Sequence, residues 1–176
     1  FGFRMPAVAW FQVHRIAGFW HINIIDEIIH EQNIKTDELI ERIKEKPYYV
    51  REYYGDPAGM QAQGQSGMGD IEIFRRHGIQ IRSVRDKVSR SIASGIGHVR
   101  GFIENAQNER FVHLHSKCTG LAEDFENYRY PEAVDGKDLK PEPIKDGRND
   151  HGMDMVRYFF LNRFPIRQRE VGVIKR

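Results

Sequence analysis

The sequence predicts a mixed α/β domain, in which helices cover both faces of a mixed sheet. Two apolar segments rich in β-branched and aromatic residues come first, and a glycine turn separates them, as in a β-hairpin. After them, strand-like segments alternate with segments whose apolar residues recur every three or four positions, the spacing of helices. A hairpin followed by strands alternating with helices is typical of a sheet flanked by helices.

The bulk composition is that of an ordinary globular domain, and we expect a single domain over residues 1–176. The 27 basic and 25 acidic residues give a net charge of +2, which does not by itself indicate a nucleic-acid binder. The single cysteine, Cys118, excludes an internal disulfide and a zinc ribbon, and we predict that it is a small buried hydrophobe. No apolar run approaches the roughly 18 residues of a membrane-spanning helix. Because the chain begins with Phe1, we expect it to be part of a longer protein.

The first half of the chain contains the predicted hairpin and a second pair of strands. Strands are predicted over Ala7–His14, Phe19–His30, Tyr49–Tyr54 and Ile79–Val84, helices over Lys35–Lys46 and Asp70–His77, and a loop over Ala58–Gly69. Thr36 is expected to cap the first helix, because threonine oxygens accept hydrogen bonds from free amides there. Asp26 and Glu27 close the second strand, and we expect them to be exposed on a strand edge.

The second half is predicted to be mainly helical. Helices are predicted over Lys87–Asn105, Thr119–Tyr128 and Asp150–Asn162, a strand over Arg110–Ser116, a polar loop over Pro131–Gly147 and a loosely held basic tail after Pro165. His113 and His115 alternate on the strand. A zinc pair is conceivable, but no third ligand is evident, so we predict an ordinary strand histidine pair.

One candidate site residue, Asp56, follows a strand directly. Side chains at strand ends line the crevices in which open α/β sheets bind ligands. Gly55 and Gly59 allow close backbone approach, and Pro57 fixes the chain beyond the aspartate. The alternative is that Asp56 only makes a turn, as aspartates often do there.

Three more candidates, Asp150, His151 and Asp154, crowd the start of the last predicted helix. Asp150 and Asp154 are four residues apart and therefore share one helix face. Asn149 or Asp150 is expected to cap this helix. Asp154 lies a full turn further in, so either it pairs with an arginine such as Arg157 or it binds a cation.

Four segments resemble the C-terminal nuclease domain of phage large terminase subunits, the motors that package DNA into proheads. They are FGFRMPAVAW at Phe1–Trp10, INIIDEIIH at Ile22–His30, YYGDPAG at Tyr53–Gly59 and PIKDGRNDHGMDMVRYFF at Pro143–Phe160. The resemblance covers nearly the whole chain in order, and the last segment is the most specific.

The resemblance implies an RNase H-like fold and an endodeoxyribonuclease that uses two ions, Mg²⁺ or Mn²⁺. It implies catalytic roles for Asp56, Asp150 and Asp154. Asp56 would bind metal, one of Asp150 and His151 would be the ligand of the last motif, and Asp154 would lie in or beside the site. Lys145 would meet a phosphate. The first catalytic aspartate of that family would precede Phe1, as would the first strand and an ATPase domain.

The implied partners are double-stranded DNA, the portal protein, the small terminase subunit and the ATPase domain of the same polypeptide. The implied location is the cytoplasm of an infected bacterium, outside the mature virion, with no membrane contact. Basic side chains near the site are predicted to contact DNA phosphates without reading the base sequence. They are Arg82, Arg85, Lys87 and Arg90.

Two other interpretations stay open at this point. One is another RNase H-like nuclease, such as a junction resolvase or an integrase. The other is a module that only grips DNA or docks on the portal or small subunit.

Overall fold

The structure, a computed structural model, describes residues 5–60, 69–83, 91–132 and 142–166. Over these ranges the strands are β1 (Val8–Ile16), β2 (Phe19–Ile28), β3 (Tyr53–Tyr54), β4 (Ile81–Arg82) and β5 (Val112–Leu114). The helices are α1 (Thr36–Glu45), α2 (Asp70–Arg76), α3 (Ile92–Ile103), α4 (Thr119–Asn127) and α5 (Asn149–Arg163), and a 3₁₀ turn, Pro57–Met60, follows β3. The predicted mixed α/β class is confirmed.

The predicted hairpin is present, and a β-bulge in β2 changes which side chains of that strand face each core. β1 pairs antiparallel with β2, and Phe11 opposes Ile24 whereas Trp10 opposes Asp26, so Ile25 has no partner in the register. The extra residue shifts the alternation of side chains along β2. As a result Ile24 joins one core, whereas Ile25 and Ile28 join the other.

The strands form two sheets whose free edges face one another. β5 adds to β2 in parallel, so the first sheet has the order β1-β2-β5 and is mixed. β3 and β4 form a second, parallel pair. A cavity of about 880 Å³ lies between the sheets and is lined by residues 5–13 on one side and 47–56 on the other. The two sheets therefore frame an open crevice.

Helices cover both faces. On one face, α3, α4 and α5 pack on the first sheet through a core that includes Leu121, Val156 and Phe160. On the other face, α1 and α2 contribute Ile40 and Phe74 to a second core. Both cores also receive residues of the β3–β4 pair, which shows that the two sheets lie between the same helical layers.

The acids of β2 are not exposed, contrary to expectation, because other parts of the chain bind both carboxylates. Asp26 is buried, and its Oδ2 accepts hydrogen bonds from Lys46 Nζ (3.0 Å) and Tyr48 OH (2.9 Å). Lys117 Nζ lies 3.3 Å from the same oxygen. Burial raises the pKa of Asp26, but these hydrogen bonds outweigh it and lower the pKa to about 2.

Glu27 points to the opposite face and caps a helix. Its two carboxylate oxygens accept hydrogen bonds from the backbone amides of Gly120 (2.8 Å) and Leu121 (2.9 Å), at the start of α4. Cys118, which precedes that helix, makes no side-chain cap. A distant glutamate thus supplies the acceptors that the local sequence lacks.

Other differences concern ends of elements. Thr36 does not cap α1: it is the first helical residue, and its hydroxyl donates to Asp70 Oδ1 (2.8 Å). Most of the predicted loop Ala58–Gly69, the first turns of the helix predicted over Lys87–Asn105 and the basic tail lie outside the described residues. No helix in the described ranges is both long and apolar enough to cross a bilayer.

Candidate active site

The cavity between the two sheets brings together the candidates predicted from the last helix and from the end of β3. Its lining includes Asp56, Lys145, Asp150, His151 and Asp154. These residues are far apart in the sequence. They meet because α5 packs against both β1 and β3. The cavity is therefore the place where their chemistry can be combined.

Asp56 makes a turn and faces the cavity, so the two interpretations of this residue are compatible. Its Oδ1 accepts a hydrogen bond from the Ala58 amide (2.8 Å), and its carbonyl accepts one from the Gly59 amide (3.1 Å). Burial, and then the negative charge of Asp56, raise the pKa of Tyr158. The carboxylate of Asp56 therefore lies close enough to α5 to act on that helix electrostatically.

The start of α5 is held by a residue that was not predicted. Asp146 Oδ1 accepts hydrogen bonds from the amides of Arg148 (2.9 Å) and Asn149 (2.8 Å), so neither Asn149 nor Asp150 is the cap. Although burial opposes it, these bonds lower the pKa of Asp146 overall. Asp150 is buried, and its Oδ1 accepts from the Gly147 amide (2.7 Å). A network of acids and amides thus orders this turn.

Asp154 forms the predicted pair with Arg157. Its Oδ1 accepts from Arg157 Nη2 (2.7 Å) and Nε (3.3 Å), and Arg157 is only 4% exposed. Burial, and then the charge of Asp154, raise the pKa of Tyr128 to about 12. Within the part of the chain that the structure describes, Oδ2 of Asp154 is left for another partner, so the pair does not exclude cation binding.

The donor chemistry suits a hard divalent ion, although the set is open. Carboxylate oxygens from two separate elements reach the cavity, and Mg²⁺ often uses one or two carboxylates together with waters and substrate phosphates. Among the described residues, no group of three or more His, Cys, Asp or Glu side chains could hold a metal ion as placed.

The basic residues predicted to contact DNA lie in different places. Lys145 lines the cavity and is exposed, and its phosphate contact stays a prediction. Arg82 is exposed on β4, but it pairs with Glu52, whose carboxylate also accepts from Tyr54 OH. Arg85, Lys87 and Arg90 lie outside the described residues.

The lining also includes two polar residues of α5 that were not singled out in the sequence, Tyr158 and Arg163. Tyr158 lies four residues after Asp154, so helical spacing alone was enough to place it on the same face. Arg163 is nine residues after Asp154 and closes the helix; only the packing of α5 across both sheets brings it to the cavity.

The other candidates lie away from this cavity. His113 stacks on His21, with ring centres 6.2 Å apart, and His115 Nδ1 accepts from the Lys117 amide (3.2 Å). Each histidine thus has a partner of its own. Cys118 is buried, as predicted, and burial, followed by the charge of Glu27, raises the pKa of its thiol to about 11.

Comparison with known proteins identifies the fold. Neither a protein-family model nor a curated protein matches the chain. Among solved structures, the large terminase of a thermophilic bacteriophage matches with a TM-score of 0.59 and 20% identity over 92% of this chain. The chain spans 37% of that protein's length.

A second match is the nuclease domain of the large terminase g2p from bacteriophage SPP1, solved with bound Mn. It has a TM-score of 0.59 and 17% identity, and the match covers 89% of this chain and 84% of that domain. At this identity the likeness establishes the fold. The chain has the RNase H-like fold of the nuclease domain of phage large terminases.

Proposed function

We propose that this chain is the nuclease domain of a phage DNA-packaging motor and cuts concatemeric DNA with divalent metal ions. One observation carries the proposal. Asp56, from the end of β3, meets Asp150, His151 and Asp154, from α5, in a single cavity. The fold around that cavity is shared with a terminase nuclease domain that was solved with Mn.

In this proposal Asp56 and Asp154 hold Mg²⁺ or Mn²⁺, together with Asp150 or His151. A pair of such ions, when bound, supplies an activated water and stabilises the leaving oxygen of a phosphodiester. The Asp154–Arg157 pair fixes the direction of Oδ2, and the bond from the Gly147 amide fixes Asp150. The protein thus orients its carboxylates before the substrate arrives.

DNA is the substrate in this proposal, and Lys145 and Arg163 meet its phosphates at the cavity rim. Both are cationic and line the cavity, Lys145 just before the start of α5 and Arg163 at its end. Because such contacts go to phosphates, binding is expected to weaken steeply with salt and to depend little on sequence. An ATPase domain, the portal protein and the small terminase subunit are the proposed partners of the larger protein.

The test is calorimetric titration of Mn²⁺ into this chain and into Asp56→Asn, with Asp37→Asn as the matched control. Asp37 is an exposed acid of α1, away from the cavity. We expect Asp56→Asn to weaken Mn²⁺ binding by at least about tenfold, because it removes a ligand charge, and Asp37→Asn to leave it unchanged. Thermal unfolding of Asp56→Asn is expected to match the wild type, since an asparagine oxygen can still accept from Ala58.

Two results would contradict the metal site: equal Mn²⁺ affinity in both variants and the wild type, or no binding to any of them. Cleavage of plasmid DNA then tests the activity itself. Linear and branched DNA are compared in the same assay, because a junction resolvase would prefer the branched substrate.

A second candidate function is favoured by one observation. The described residues do not contain a three-ligand metal group, so the chain by itself is also compatible with a module that grips DNA without cutting it. Metal-independent, salt-sensitive DNA binding with no Mn²⁺ binding and no cleavage would select this candidate.

A further inference from the structure

A buried acid lies behind the candidate site and takes no part in lining it. Asp124 of α4 is fully buried, packed between α4, α5 and the end of β2. Its Oδ1 lies 2.6 Å from His30 Nε2. Burial raises the pKa of Asp124 to about 6, opposed by the hydrogen bond to His30. A carboxylate in such a place is costly and calls for a physical reason.

The second oxygen of Asp124 points at the backbone of α5. Among the described residues Oδ2 has no hydrogen-bond partner. A Cβ atom placed on Gly152 would lie 1.9 Å from this oxygen and 2.6 Å from Ile29 Cδ1. Only glycine, which has no Cβ atom, allows the carboxylate of Asp124 to come this close to α5. The carboxylate therefore contacts the backbone of the helix.

Gly152 lies between His151 and Asp154, whose side chains line the cavity. Its own face of α5 is buried against α4, opposite the cavity. The contact with Asp124 therefore supports, from behind, the same helical turn that presents the candidate ligands in front.

His30 connects a second contact to the same turn. Its backbone is in the left-handed region, with φ of 62°, and its ring faces two acids of α4. Its Nδ1 lies 3.7 Å from Glu123 Oε2, and the other oxygen of Glu123 lies 2.9 Å from Arg148 Nη2. Arg148 immediately precedes α5. One histidine thus faces two acids that each reach the first turn of this helix.

We infer that Asp124 and His30 are positioning residues that set the first turn of α5, and with it the direction of His151 and Asp154 into the cavity. The inference rests on the proposed metal site for its functional meaning. The ordering of the turn by Asp124 and His30 does not require a metal. Partners behind the ligand-bearing element commonly change metal affinity by about ten- to a hundredfold.

The first test compares Asp124→Ala with Asp124→Asn, which keeps an acceptor for His30 and nearly the same shape. In the metal-free protein, amide hydrogen exchange is measured at Met153 and Asp154, whose amides donate to carbonyls in the first turn of α5. We expect Asp124→Ala to make exchange at these amides about tenfold faster and Mn²⁺ binding about tenfold weaker. Asp124→Asn is expected to stay near the wild type in both measurements. Glu126→Ala, an exposed acid of the same helix, is the control and is expected to change neither.

The second test separates positioning from mere packing. Gly152→Ala is expected to lower the melting temperature, because its methyl group meets Asp124, and adding Asp124→Ala removes that clash. We expect the double variant to regain most of the melting temperature lost in Gly152→Ala, because the remaining close contact is with the flexible end of Ile29, while Mn²⁺ binding stays about tenfold weaker than in the wild type. If Asp124 acted only through packing, both the melting temperature and the Mn²⁺ affinity of the double variant would recover.

The inference is overturned if Asp124→Ala changes neither exchange nor Mn²⁺ binding, or if the double variant regains wild-type affinity. Absence of Mn²⁺ binding in the wild type would instead overturn the proposed metal site, and the exchange data would still decide whether Asp124 orders the turn.

Discussion

Two pairs of acidic residues, each at an end of a secondary-structure element, have different surroundings in the structure. Asp26 and Glu27 end a strand, and Asp150 and Asp154 begin a helix. The strand pair is engaged by lysines, a tyrosine and helix amides, and neither of its acids lines the cavity. The helix pair faces a cavity. An acidic pair thus acquires its role from what surrounds it.

The difference has a direct physical cause. β2 is central in its sheet, and successive residues of a strand point to opposite faces, so Asp26 and Glu27 enter opposite, covered faces, where each must find hydrogen-bond donors. α5 spans two separate sheets, and its first turn lies where those sheets leave a crevice. Mutations in the strand pair should therefore affect stability, and mutations in the helix pair should also affect metal binding.

The largest effect on stability is expected for Asp26→Ala. It removes the acceptor of Lys46 and Tyr48 and should lower the free energy of unfolding by about 3 kcal/mol, with Mn²⁺ binding unchanged. Urea denaturation measures the first quantity and calorimetry the second. Glu38→Ala, an exposed acid of α1, is the control. A loss of Mn²⁺ binding in a folded Asp26→Ala would break the contrast between the two pairs.

Asp26 should also make the stability of the fold depend on pH in the acid range. Its pKa falls from 3.8 in the unfolded chain to about 2 in the folded one, so its ionised form stabilises the fold fully above about pH 4. That contribution should disappear as the pH falls through about 2. The stability difference between the wild type and Asp26→Asn should therefore shrink over this window, and a constant difference would contradict the assignment.

An intermediate effect is expected for Asp154→Asn. The neutral side chain removes a countercharge beside the buried Arg157, which should cost about 2 kcal/mol, and Mn²⁺ binding should weaken as well. Adding Arg157→Met should recover stability without recovering Mn²⁺ affinity. Recovery of both would mean that Asp154 only compensates the arginine.

The smallest effect is expected for Glu27→Ala. The loss of two acceptors at the start of α4 should lower the free energy of unfolding by about 1 kcal/mol, the usual value of a helix cap. Hydrogen exchange at Gly120 and Leu121 should increase, and Glu27→Gln should lie between the alanine variant and the wild type. Unchanged exchange in the alanine variant would show that Glu27 is not the cap.

Much of the fold could be predicted from local patterns, because hairpins and amphipathic helices arise from short-range periodicity. The hairpin β1–β2 and helix α1 are within a few residues of their predicted ranges. The short strands β3 and β4 were predicted too long, since their ends are set by the pairing of only two residues each. The caps were predicted less well: Thr36 does not cap α1, and Asp146 acts at the start of α5, where Asn149 or Asp150 was expected to.

The sequence by itself determined the order of the elements, the amphipathic faces and the motif that groups Asp150, His151 and Asp154 on one turn. Those features depend on residues within one or two helical turns of each other. The tertiary structure alone decided that Asp56 meets that turn, that Asp26 is buried and that Asp124 supports Gly152 from behind. These contacts join residues far apart in the chain, and their existence depends on how the layers pack, which no local pattern encodes.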